Sequence, residues 1–501
     1  MTSAIQKKTA YTPRRPEDSL LYKVINDSRD EFLRSVDSDP DSRGMPKFVR
    51  KEFEKFLGCG FYENGVTRIS CKDGKCGEDY WLPTSCKCRG FCPSCGGRRM
   101  NEFAINLDER VIPDVPVRQY VVSVPIPLRY LMISNHELTL VINRLIINAI
   151  RALLRKKSRK LSVDDGVIGA VTFLQRFGSG LNLHLHYHIL VLDGVFKECP
   201  DDIYVPEFVP TPDITDADIG DLVRRVSRSV TKYLVRERIL EEITLHPAEG
   251  IELSLNQDGS EALSACKSAS VASRIAFGIR SGKKVRRVGA NMFGYGKEKG
   301  QITGPLCASY GGFSVHANRE VKQYEREELK KLITYIARPA VALDRLSFTD
   351  SGDIKVELKT PWPDGSTAIV LSQMELLEKL AALVPYPEKN LVIYSGCLAP
   401  NHKMRTDIVP TQNSATPTPG DSASPVEGPP KPRNRHIPWA ELLKKTFEID
   451  VFSCRKCGGP TKVMAFIGDP REISKIMKAF KLHSPPPPRS ASQNLVYEFE
   501  N

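Results

Sequence analysis

The chain has 501 residues, enough for several domains that each bury a core. Its 72 Lys plus Arg against 60 Asp plus Glu leave a formal charge of +12, an excess that favours polyanionic partners. No apolar run reaches the roughly 18 residues a membrane span needs, and the start, with Lys7, Lys8, Arg14 and Arg15, lacks the apolar core of a signal peptide, so a cytoplasmic protein without a membrane partner is expected.

A flexible basic arm, 1–16, precedes a helical and zinc-binding domain over 17–110. Leu20, Leu21, Val24, Ile25, Phe32 and Leu33 recur at helical spacing, and a second helix covers Lys47 to Leu57. Seven of the chain's 13 cysteines lie between Cys59 and Cys95, clustering that points to metal thiolates rather than disulfides. Cys71-x4-Cys76 and Cys92-Pro93-Ser94-Cys95 supply two sulfur knuckles, as a tetrahedral structural zinc requires. Cys71, Cys76, Cys92 and Cys95 form the favoured set; Cys86 can replace one of them or build a second site with Cys59 and Cys88. Arg89, Arg98 and Arg99 beside the knuckle suit phosphate contacts.

From 111 to 345 the pattern becomes a strand (Gln119 to Val124), a long helix (His136 to Leu161), a strand (Val167 to Phe177) and the alternating stretch from Leu181 to Gly194, which predicts an antiparallel α+β layer. In that stretch His186 and His188 project from one strand face roughly 6.6 Å apart, near enough to chelate one cation, while Tyr187 points into the core. His184 shares their face but lies roughly 13 Å from His188. Hydrogen-bonded packing histidines are the alternative. A helix through Asp221 to Glu242 precedes a Gly-, Ser- and Lys-rich insertion at about 250–312, whose basic half (Arg280, Lys283, Lys284, Arg286, Arg287) is expected to touch DNA. Further basic clusters are Arg151, Arg155, Lys156, Lys157, Arg159 and Lys160, and Lys330, Lys331 and Arg338.

Glu325 to Ile336 reads as a helix stopped before Pro339. It carries Tyr335, with Lys331 one turn before and Arg338 nearly one turn after, so two cations can flank the hydroxyl. Tyr324 is a less well-placed competitor. If the histidine pair holds a divalent cation, this basic context suggests phosphoryl transfer with Tyr335 as nucleophile. A hairpin (Ile354 to Leu358, Ala368 to Leu371) and a helix (Met374 to Leu383) form an extension over 346–409. A Pro- and Ser-rich linker (410–436), a small module (437–484) with Cys454-x-x-Cys457, and a flexible tail (485–501) complete the chain. The CxxC pair looks like half of another site, with His436 and His483 as its obvious partners.

Taken together, the motifs resemble a rolling-circle transposase of the HUH-endonuclease superfamily, of the insertion-sequence ninety-one or common-region type. The likeness rests on Ser85-Cys86-Lys87, Arg89-Gly90-Phe91-Cys92-Pro93-Ser94-Cys95-Gly96-Gly97-Arg98-Arg99, Gln175-Arg176-Phe177-Gly178, His186-Tyr187-His188, Gly312-Phe313-Ser314-Val315-His316-Ala317 and Tyr335-Ile336-Ala337-Arg338-Pro339, with Cys454 to Ile467 resembling the family's terminal segment. The resemblance implies a ferredoxin-like HUH nuclease with an N-terminal Cys-rich zinc module. It implies that His186 and His188 bind Mg²⁺ or Mn²⁺ and that Tyr335 attacks single-stranded DNA to leave a 5′-phosphotyrosine. Gln175 is the candidate third ligand, with His316 as runner-up. Two-tyrosine relatives carry a tyrosine where this chain has Lys331, so the single-tyrosine form is implied. The expected partners are single-stranded and hairpin DNA at element ends and target DNA, with nucleoid association when bound; self-association is compatible, and no nucleotide cofactor is expected. A plasmid replication initiator or relaxase shares this chemistry; a non-catalytic zinc-dependent DNA-binding protein and a zinc hydrolase are the rivals from other classes.

Overall fold

The computed structural model describes residues 15–38, 44–197, 206–239, 260–289, 304–409, 440, 442–444, 450–454 and 456–482. Arm residues 1–14, the 410–436 linker, His436, His483 and the 485–501 tail lie outside them. Among the described residues no helix is long and apolar enough to cross a membrane.

Helix α1 (Leu20–Asp37) begins where the Ser19 hydroxyl accepts from Tyr22 N, and α2 (Lys47–Leu57) follows. Strands β1 (Val66–Cys71) and β2 (Asp79–Pro83) pair antiparallel, and α3 (Pro93–Arg110) starts on Cys92, with proline at the first position, where a missing N–H costs nothing. Next come β3 (Val117–Ser123), α4 (Ile126–Ser134), α5 (His136–Arg159), β4 (Gly169–Phe177), β5 (Leu183–Leu192), a β6–β7 hairpin (Gly194–Lys197, Glu207–Pro210) and α6 (Asp216–Arg236). The region expected as an insertion holds α7 (Glu261–Val271), β8 (Arg286–Val288) and β9 (Cys307–Tyr310), ahead of β10 (Phe313–Val321) and α8 (Arg326–Ile336). Strands β11 (Leu346–Phe348), β12 (Ile354–Glu357) and β13 (Ala368–Leu371) precede α9 (Gln373–Leu383), β14 (Val392–Gly396) and the short α10 (Arg405–Ile408); β15 (Thr461–Ile467) and α11 (Pro470–Phe480) come last.

The central sheet runs β14-β4-β5-β3-β10-β9, and every pairing in it is antiparallel. Its β3-α5-β4-β5-α6-β10 segment, in spatial order β4-β5-β3-β10, is consistent with the expected ferredoxin-like layer. Strand β5 is buried on both faces. Leu185, Tyr187, Ile189 and Val191 enter a core with residues of α5 and α6, whereas Leu190 and Leu192 enter another with residues of α3 and α8. Tyr187 is fully buried and donates to the Thr139 carbonyl at 2.9 Å, the inward placement its register predicts.

Two segments outside the nuclease region join other elements. Strand β14, from the 346–409 extension, pairs with the β4 edge; Gly396 permits the turn, because a Cβ there would sit 1.8 Å from Ile168 O at a backbone φ of +63°. Strand β15, from the C-terminal module, pairs with β1, with Cys71 opposite Thr461. The arginines expected to touch DNA from the insertion instead meet carboxylates: Arg280–Glu375 at 2.6 Å, Arg286–Asp353 at 2.8 Å and Arg287–Asp364 at 2.5 Å. They tie β8 to the β11-β12-β13 sheet and to α9, and α7 packs in one core with α1, α2 and α9.

Candidate active site and zinc centres

The cysteines sort into two tetrads, and the favoured set is divided between them. Cys59, Cys86, Cys92 and Cys95 form one group; Cys71, Cys76, Cys454 and Cys457 form the other, and within each group all sulfurs lie within 4.8 Å of one another. Tetrahedral Zn–S bonds of about 2.3 Å place ligand sulfurs about 3.8 Å apart. The measured separations agree: Cys59–Cys95 3.8 Å, Cys59–Cys92 3.6 Å, Cys86–Cys95 3.4 Å, Cys71–Cys457 3.6 Å and Cys76–Cys454 3.8 Å. The β1–β15 pairing carries Cys454 and Cys457 to Cys71 and Cys76, so among the described residues two cysteines of the N-terminal domain meet the CxxC half-site, while His436 and His483 lie outside those residues. Cys88 belongs to neither tetrad: its thiol donates to Glu52 O at 3.7 Å.

The first tetrad sits at the start of α3, and α3 packs along α8, the tyrosine helix. Arg326 pairs with Asp108 at 2.7 Å, Lys330 meets the same carboxylate at 3.4 Å, and Arg326 donates to Ile112 O and Pro113 O. At the other end Gly96 lets the knuckle touch the segment after α8, since a Cβ there would lie 2.5 Å from Pro339 Cβ.

On the α3/α8 face of the sheet, β5 and β4 place His186, His188 and Gln175 side by side, with Gln175 opposite His186 in the pairing. His186 Nε2 and His188 Nε2 are 3.1 Å apart, and Gln175 Oε1 is 3.1 Å from His188 Nε2. The orientation of this amide follows from its other end: Gln175 Nε2 is 3.2 Å from Ile336 O, which can only accept, so the oxygen faces the histidines. His186 Nδ1 is 2.7 Å from the His184 carbonyl oxygen and must carry the proton there, leaving its Nε2 lone pair free. His188 Nδ1 is met at 2.8 Å by the Gln119 amide, which can offer its acceptor end when Nε2 ligates a metal. Burial pushes these imidazoles down, His188 and His184 to about 3 and His186 to about 4, so at neutral pH they hold the uncharged, ligating form. Two imidazole nitrogens and an amide oxygen suit a divalent cation that accepts N and O ligands. His184 contacts His186 through Nδ1 at 3.1 Å, on the side away from Nε2. His316 lies on the same sheet face but two strands over, paired with Val121, which pairs with His188; its Nε2 is 3.4 Å from Cys307 Sγ.

Tyr335 is 43% exposed on the last turn of α8, one residue before the carbonyl that Gln175 grips. Two cations bracket its ring, with Arg338 at 4.7 Å and Lys359 Nζ at 4.0 Å from the centroid. Lys331, expected in one of those places, pairs instead with Glu328 at 2.8 Å. Lys359 lies in the segment between β12 and β13 and carried no local sign of this role. Arg338 is close enough for its charge to oppose protonation of both His186 and His188. Tyr324 is 78% exposed ahead of α8, and its N–H donates to Asp114.

Residues 24–124 match a family model described as "Transposase zinc-binding domain", and residues 169–405 match one described as "Putative transposase". The first span holds six of the eight tetrad cysteines, and the second holds Gln175, His186, His188 and Tyr335. No curated protein and no solved structure matches the chain. These two matches support a transposase of the insertion-sequence ninety-one type, a DNA-processing enzyme that binds DNA and carries a zinc-binding N-terminal domain.

Proposed function

We propose that this transposase nicks and rejoins single-stranded DNA at the ends of a mobile element by a rolling-circle route, with Tyr335 as its one nucleophile. The observation that carries the reading is Gln175, whose amide oxygen faces the His186–His188 pair while its nitrogen holds the Ile336 carbonyl of the tyrosine helix. That residue ties a divalent-cation site to the nucleophile's helix.

His186 and His188 through Nε2 and Gln175 through Oε1 would hold Mg²⁺ or Mn²⁺. Such an ion, when bound, neutralises and orients a phosphate. Tyr335 Oη forms a bond to phosphorus as the bond from phosphorus to O3′ breaks. The phenol gives up its proton, the departing O3′ gains one, and the strand is left as a 5′-phosphotyrosine and a free 3′-hydroxyl. Attack by another strand's 3′-hydroxyl reverses these changes and joins DNA. Arg338 and Lys359, on the ring of Tyr335, supply positive charge to the phosphate during attack. Lys331 stands one turn before Tyr335, where a second tyrosine would serve a two-nucleophile exchange, which supports the single-tyrosine form. The match to a transposase zinc-binding domain favours transposition over plasmid initiation or relaxase work. Hairpin-bearing element ends and target DNA are the proposed substrates.

Cleavage of end-derived oligonucleotides with Mn²⁺ or with EDTA tests this. Wild type is expected to cut only with the cation, and His186→Ala is expected not to cut while keeping its zinc. Equal cutting by His186→Ala would exclude this metal site.

A further inference from the structure

A cavity of about 340 Å³ opens beside Gln175, Ile336 and Arg338 and reaches back to the zinc knuckle at Cys88, Arg89 and Gly96. Apolar side chains, among them Phe173, Leu391 and Val392, make one wall, and Arg89, Arg99, Arg176 and Arg338 supply guanidinium groups. For three of the four, the hydrogen bonds go to main-chain carbonyls: Arg89 to Lys389 O at 2.5 Å, Arg99 to Cys88 O at 2.7 Å and Arg176 to Val384 O at 3.4 Å. The Glu52 carboxylate accepts from the backbone N–H groups of Arg89 and Gly90, and its charge favours the charged form of Arg89. Arg176 is only 9% exposed, and its Nη2 is buried without a hydrogen-bond partner among the described residues. Burial pushes the Arg176 guanidinium down to about 10, with the charge of Arg89 adding to the effect, and Arg99 likewise opposes Arg89. An unpaired buried guanidinium facing like charges is costly unless an anion joins it.

We propose that this cavity is a nucleotide pocket: a phosphate sits against Arg176, Arg89 and Arg99, and the sugar and base lie along the apolar wall beside Phe173. A volume within the range of small-molecule sites, with a few convergent polar groups on a largely apolar lining, fits such a ligand better than inorganic phosphate alone. Because Gln175 lines this cavity and faces the histidine pair, and Arg338 lines it and lies on the Tyr335 ring, the occupant can be a nucleotide of the strand next to the phosphate under attack. That identification of the source rests on the nuclease reading; nucleotide recognition itself does not.

The test is isothermal titration calorimetry of the full zinc-loaded chain at low salt, without divalent cation, using thymidine 5′-monophosphate, inorganic phosphate and a short single-stranded oligonucleotide. The monophosphate is expected to bind more tightly than inorganic phosphate and to lose at least about tenfold in affinity in Arg176→Met, as loss of a charge-assisted hydrogen bond implies. Arg99→Gln, at a partly exposed residue, is expected to weaken it in the same direction and guards against misfolding of the buried variant. A parallel loss for the oligonucleotide assigns the pocket to the strand; an unchanged oligonucleotide assigns it to free nucleotides. No monophosphate binding, or affinity unchanged in both variants, would overturn the proposal. Failure of Tyr335 to react with DNA would leave these titrations as they are, so the two claims fail separately.

Discussion

Gln119 touches neither the tyrosine nor the candidate ligand atoms, yet it fixes the His188 ring through Nδ1. Outer residues of this kind commonly change metal affinity or activity by about 10- to 100-fold. Gln119→Ala is therefore expected to raise the Mn²⁺ concentration needed for half-maximal cleavage by that factor, with little change at saturating Mn²⁺; an unchanged Mn²⁺ requirement would remove Gln119 from the site. The same histidines set an acid limit on the metal-free fold. Their folded values lie near 3 to 4, below the unfolded value of about 6.5, so their contribution is complete above pH 6.5 and declines as the unfolded chain takes up protons on acidification towards the folded values. Melting temperature without divalent cation should fall over that window, and His188→Gln should make the fall shallower. An equally steep fall in the variant would assign the acid sensitivity elsewhere.

At the scale of elements, the first zinc tetrad and the nucleophile share a support, because α3 begins in the tetrad and lies along α8. Gly96→Ala should push Pro339 away from the knuckle, at a cost of about 1–3 kcal/mol for an overpacked contact. Cleavage should drop while zinc content stays constant, which separates positioning of the helix from zinc loss; full cleavage would show the contact to be slack. Much of this layer was legible in advance. Helix α2, strands β12 and β13 and the core of β5 follow from apolar spacing, because each pattern is local. Helix α6 begins at Asp216 rather than Asp221 because Thr215 and Asp218 form a capping box, a signal present in the sequence but not used. Helix α3 was hidden inside the cysteine-rich stretch, and β14 is a short edge strand whose partner is fixed only by tertiary pairing. Lys359 at the Tyr335 ring was illegible for the same reason: 24 positions along the chain separate the two.

Across the whole molecule, the second tetrad closes a loop of about three quarters of the chain, joining Cys76 to Cys454 across 378 positions. Spacing within each CxxC or Cx4C motif showed that metal was involved, but nothing local could show which half-sites meet. Zinc content by mass spectrometry should read two per chain, falling to one in Cys457→Ser, with early loss of the C-terminal segment to protease. Two zinc ions retained in that variant would contradict the assignment. The net charge of +12 makes binding to DNA salt-sensitive as a general expectation, but the clusters do not contribute equally: Arg280, Arg286 and Arg287 are paired internally, and Lys157 is bound to Asp218 at 2.5 Å. The most direct test of the account is peptide mass spectrometry of the protein after reaction with single-stranded oligonucleotides spanning the element ends, with Mn²⁺. A nucleotide adduct on Tyr335 that disappears with EDTA and in Tyr335→Phe is the predicted result. An adduct on another residue, or cleavage that persists in Tyr335→Phe, would contradict it.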